Sequence, residues 1–143
     1  MRSALLAIAA ATCLIPAWAV AADLEVGQTR ACQSSGPGKQ LYVTIGRIEP
    51  YANGQTVVSV SLFNRAPGAA MPSVAHAPVD ANVLSVSCPI LADHSIPLSP
   101  EFDSGYQQWR TAQGGVFTIP IDQIYDIGVE TVAKSHQGGS VAL

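Results

Sequence analysis

Imidazole and carboxylate groups are the side chains best suited to move protons or hold a divalent metal, and in this sequence His76, Asp93 and His94 supply them. Their spacing argues for neither use. The His-x-x-x-His and His-Glu-x-x-His patterns, which set two ligands on one helix face, are absent, and His136 falls close to the end of the chain. The plainer expectation is a partly buried His76 hydrogen-bonded to backbone within an apolar segment, and a solvated His94 beside Asp93 in a loop. A small enzyme or metal-binding protein built on His76, Asp93 and His94 stands as the alternative.

Nucleophilic catalysis would need an activated Ser or Cys, a base and a group to orient that base. No Gly-x-Ser-x-Gly elbow occurs, and Asp103-Ser104-Gly105, the nearest echo, sits where helix capping accounts for it. Glu101 and Asp103 lie together at the same helix start, where interaction with the helix dipole explains them better than glycosidase work. Gly36-Pro37-Gly38 and Gly114-Gly115 lack the spacing of a phosphate loop and read as turns. Phe102, Tyr106 and Trp109 recur at helical spacing, the pattern of a core stripe, with an exposed aromatic platform as the other possibility. No cofactor is indicated.

The cysteines carry a different message. Met1 and Arg2 precede an apolar run over residues 4–15, followed by Pro16 and a small-residue exit ending at Ala21 and Ala22. This is the pattern of a secretory signal peptide over residues 1–21, its apolar run too short for a membrane span of about 20 residues. Its removal takes Cys13 with it and leaves Cys32 and Cys88 in an oxidising compartment, where a disulfide between them is expected. The expected location is the periplasm or the exterior of a bacterial cell.

The chain beyond the leader, about 120 residues, is enough for one domain with its own core. Arg30, Lys39, Arg47, Arg65, Arg110 and Lys134 are scattered singly among ten carboxylates. No basic run exists to neutralise phosphates, which argues against nucleic acid or an anionic membrane as partner.

Elements follow from periodicity. Leu41, Val43 and Ile45, then Val58, Val60 and Leu62, alternate with smaller or polar residues, and Pro50, Asn53 and Gly54 lie between the two runs: a β-hairpin with one buried face. Residues 64–73, with Pro67, Gly68 and Pro72, form a loop, and an apolar one. Residues 74–79 read as an edge strand, Asp80 as the cap of a short helix ended by Pro89, residues 102–113 as a helix stopped by Gly114 and Gly115, and residues 116–119 as a strand. Pro120 and Asp122 open a last helix with Ile121, Ile124, Tyr125 and Gly128 on one face.

The whole predicts a small single α+β domain over residues 22–133, mostly antiparallel, with two or three short helices and a flexible tail over residues 134–143. An all-β sandwich is the alternative. Its expected role is that of an exported, non-catalytic periplasmic binding or interaction domain, with a structural envelope protein as a further alternative. The partner, another periplasmic protein, is expected at the apolar loop through Arg65 and Met71, unless that loop folds back and makes Met71 core.

Overall fold

The computed structural model describes residues 24–137; the expected leader and residues 138–143 of the expected tail lie outside them. Five strands form one sheet: β1 (Thr29–Ala31), β2 (Leu41–Pro50), β3 (Thr56–Asn64), β4 (Ser73–Asp80) and β5 (Ile90–Leu91). Three helices accompany them, α1 (Ala81–Ser87), α2 (Phe102–Thr111) and α3 (Ile121–Gln137). The order across the sheet is β4-β3-β2-β1-β5, and every neighbouring pair is antiparallel. The fold is therefore α+β, as expected, and not a sandwich of two sheets. Among the described residues no helix is long and apolar enough to cross a membrane.

The expected β2–β3 hairpin is present, with Val43 opposite Leu62 and Ile45 opposite Val60. Its turn contains Asn53 at φ 63° and Gly54 at φ 71°, the two residue types that enter left-handed backbone most cheaply. One face of the sheet supplies Leu41, Val43, Ile45, Val58, Val60, Leu62, Ala77 and Val79 to the main core. Leu84 of α1 and Ile121, Ile124 and Tyr125 of α3 close over it, matching the predicted stripe of α3. Asp80 caps α1 by accepting hydrogen bonds from the backbone N–H groups of Asn82 and Val83.

The expectation of one buried face fails at β3, which is buried from Val57 to Asn64. Its second face, with Ser59 and Ser61 between Val57 and Phe63, is covered as well. Ser61 donates to the Ala75 carbonyl at 2.7 Å and accepts from the Ser99 backbone N–H at 3.1 Å. Thr29 and Thr44, directly opposite each other, bind the backbone of Ile96, through its N–H at 2.9 Å and its carbonyl at 2.7 Å respectively. These hydroxyls pin residues 92–101, and with them α2, across the sheet. Small polar residues are tolerated there because each finds a partner, and burial without one would cost roughly 1–3 kcal/mol apiece.

Cys32 and Cys88 form the expected disulfide. Their Cα atoms stand 3.8 Å apart, closer than the usual spacing of about 4.4–6.8 Å. The neighbouring backbone accounts for this close approach, since the Gln33 N–H donates to the Ser87 carbonyl at 2.8 Å and draws the two segments together. Beside the bridge, buried Arg30 donates from Nε to the Cys88 carbonyl at 2.8 Å and from Nη2 to the Pro89 carbonyl at 3.0 Å.

Three local expectations need correction. Residues 116–119 make no strand: Phe117 forms a single parallel bridge to Val79, its N–H donating to Pro78 and its carbonyl accepting from Asp80. Helix α2 ends at Thr111 and not at the glycine pair, with Gln113 taking the left-handed position at φ 51°. Helix α3 runs to Gln137, past Lys134 where the flexible tail was expected to begin, so helical backbone continues into that segment.

Candidate functional site

His76 points from β4 into the layer beneath α2. Its Nε2 lies 3.0 Å from Ser59 Oγ, and the rings of Phe102, Tyr106 and Trp109 surround it with centroids 5.5, 5.8 and 5.7 Å away. Gly105 permits this packing, because a Cβ there would stand 2.8 Å from the Cβ of His76. Likewise the Phe102 ring lies on the backbone of Gly46, the extra residue of a bulge in β2, where a Cβ would meet the ring at 2.3 Å. Burial among these rings lowers the His76 pKa to about 4, so the imidazole is neutral at physiological pH. It is a partly buried, hydrogen-bonded histidine, as its apolar segment suggested, but its partner is the Ser59 hydroxyl and not the expected backbone group.

His94 is elsewhere. Its Nδ1 pairs with Asp93 Oδ1 at 2.8 Å on the surface, and its ring meets Tyr42 of β2 edge-on at 5.5 Å. The hydrogen bond from His94, followed by its charge, holds the Asp93 carboxyl below the usual range. The structure does not bring His76, Asp93 and His94 together, and among the described residues no three His, Cys, Asp or Glu side chains are grouped so as to hold a metal ion. Glu101 and Asp103 act locally, Glu101 accepting from the Ser99 hydroxyl at 2.8 Å while Asp103 sits in the first turn of α2.

The apolar loop between β3 and β4 folds back. Met71 is 9% exposed and belongs to the main core. Its N–H donates to the Tyr125 hydroxyl at 3.3 Å, and that hydroxyl donates to the Met71 carbonyl at 2.9 Å. Gly128 makes room for its methyl group, since a Cβ at that position would lie 2.7 Å from Met71 Cε. Asn64 fastens the loop's start, accepting from the N–H groups of Gln40 and Ala66. Met71 is thus withdrawn as a partner-contact residue, because the loop's apolar content serves the core. Arg65 remains exposed, its guanidinium 5.5 Å from the Phe63 ring centroid.

The aromatic stripe of α2 divides along its length. Phe102 and Tyr106 are buried, whereas Trp109 is half-buried at the helix end and stacks on Tyr51, which lies beside the hairpin turn, with centroids 5.1 Å apart and planes 28° from parallel. Both polar ends are tied to the loop after α2: the Tyr51 hydroxyl donates to the Gly114 carbonyl at 2.7 Å and Trp109 Nε1 donates to the Gly115 carbonyl at 2.9 Å. Gly114 is required here, because a Cβ would stand 2.4 Å from Trp109 Cδ1.

In front of this stack opens a cleft of about 740 Å³ lined by Pro50, Tyr51, Ala52, Arg110, Gln113 and Gly114. Arg110 and Gln113 are exposed, and neither side chain has an ion pair or hydrogen bond among the described residues. Behind Trp109, Tyr106 donates to Glu49 at 2.9 Å and carries the Arg47 guanidinium 4.2 Å from its ring centroid. Burial, with the Glu49 hydrogen bond second, raises the Tyr106 pKa.

Gln113 is the less expected member. Its left-handed backbone costs a non-glycine residue roughly 1 kcal/mol, although Gly114 follows immediately and would adopt it freely. The arrangement leaves the Gln113 side chain lining the cleft. Sequence reasoning overlooked Tyr51, Arg110 and Gln113, since each reads as an ordinary turn or surface residue. The one available signal was an aromatic residue at the tip of a hairpin. A comparison with known proteins finds no matching family model, no matching curated protein and no matching solved structure.

Proposed function

We propose that this protein is an exported, non-catalytic binding domain whose ligand occupies the cleft between the hairpin turn and the C-terminal end of α2. The observation that carries the reading is the Tyr51 ring, backed by Trp109, held by two hydrogen bonds to the following loop and lining a cleft within the size range of small-ligand sites. A Tyr51 ring fixed this way loses little freedom when a ligand arrives, so its contact area contributes to affinity with little ordering cost. Catalysis is disfavoured by the placement of His76, which is surrounded by rings and bonded to Ser59 and does not line the cleft. The disulfide supports export, because such bonds persist in oxidising compartments.

The test uses protein expressed with its leader and purified from the periplasm, where intact mass reports whether residues 1–21 are removed. Amide and indole NMR shifts are then followed against a panel of saccharides, short peptides and small metabolites. Shifts confined to Tyr51, Ala52, Trp109, Arg110, Gln113 and Gly114, with the ligand recovered unchanged, support the reading. Conversion of the ligand, or shifts centred elsewhere, overturns it.

A further inference from the structure

Resting on that reading, we infer that the ligand is an acidic saccharide, a short sugar chain bearing carboxylate groups. Three features of the cleft point to this class. No Asp or Glu lines it, and Arg110, a cation without an ion pair among the described residues, stands at its wall in a protein whose formal net charge is −3. An anionic group therefore finds an uncompensated guanidinium, whose planar fork suits a carboxylate. Next, Tyr51 offers a ring rather than a hydroxyl, because that hydroxyl is already committed to Gly114. A ring with a committed polar end contacts the apolar C–H face of a sugar, and Gln113 adds a carboxamide able both to donate to and to accept from sugar hydroxyls.

The third feature separates a saccharide from an acidic peptide. Peptides commonly bind by adding a strand to a free sheet edge, and here the hairpin end is no free edge, since Pro50 pairs with Thr56 across it. The Tyr51 N–H donates to the Gln55 carbonyl at 2.7 Å and the Gln55 N–H to the Ala52 carbonyl at 3.4 Å, so the turn is closed upon itself. A ring-stacking, side-chain-bonded ligand fits what remains.

The experiment titrates Trp109 fluorescence and cleft NMR shifts with hexuronic acid oligomers, neutral hexose oligomers of equal length, and short poly-glutamate peptides. Binding of the uronic oligomers is expected to weaken with salt, to fall about tenfold or more in Arg110→Gln, and to recover partly in Arg110→Lys, while the melting transition stays in place. Equal affinity for neutral and acidic sugars, or preference for the peptide, overturns the acidic-saccharide inference while leaving the cleft as a binding site. Shifts centred outside the cleft remove both. Gln113→Ala provides a second readout, expected to weaken acidic and neutral sugars alike.

Discussion

Acidification should destabilise this protein through His76. The ring sits among Phe102, Tyr106 and Trp109 with Ser59 as its polar partner, and burial lowers its pKa from 6.5 to about 4. Between those two values the unfolded chain binds the proton and the folded chain does not. Stability is therefore fully present above pH 6.5 and declines as pH falls towards 4. Linkage over that shift gives a loss of about 2 kcal/mol between pH 7.5 and pH 5, and screening of a half-exposed ring reduces the expectation to about 1 kcal/mol. The assay is denaturant unfolding at pH 7.5, 6 and 5 for the native protein and for His76→Phe, which keeps the ring but cannot titrate. The difference between the two should shrink by about 1 kcal/mol as the pH drops, apart from a constant offset for the lost Ser59 contact. A ring titration by NMR provides the direct check. A His76 midpoint near 6.5, or parallel pH profiles for the two proteins, refutes the argument.

Reduction of the Cys32 to Cys88 bridge, or Cys32→Ser with Cys88→Ser, should lower unfolding free energy by about 4 kcal/mol, because the bridge closes a loop spanning 56 positions; thiol titration of the unfolded oxidised protein should find both cysteines blocked. Gly46→Ala should cost about 1–3 kcal/mol by driving a methyl into the Phe102 ring, and adding Phe102→Leu should recover part of that loss in thermal unfolding. Met71→Ala should lower stability by about 2–5 kcal/mol, whereas Arg65→Ala, at an exposed guanidinium, should change it by no more than about 0.5 kcal/mol. Equal effects from these two would contradict the folded-back loop.

The features legible in the sequence are those set by neighbours along the chain. The β2–β3 hairpin and its core-facing residues, the Asn53-Gly54 turn, the Asp80 cap and the apolar face of α3 depend on local periodicity and backbone preference, and each stands in the structure. The cysteine pairing was equally accessible, because the expected leader contains Cys13 and the rest of the sequence holds two cysteines to pair. Tertiary structure decided the rest. Ser61 and Thr44 read as the solvent face of a hairpin, but Ser99 and Ile96 supply partners for them from about 40 to 50 positions away, Ser59 finds His76 on β4, and these polar side chains are buried. Met71 looked like a contact residue until Gly128 and the Tyr125 hydroxyl, both on α3, gave it a place in the core. The candidate cleft is the same case. Tyr51 and Trp109 are 58 positions apart and nothing local couples them; their stacking follows from α2 lying across the sheet beside the hairpin turn, an arrangement that long-range packing alone specifies.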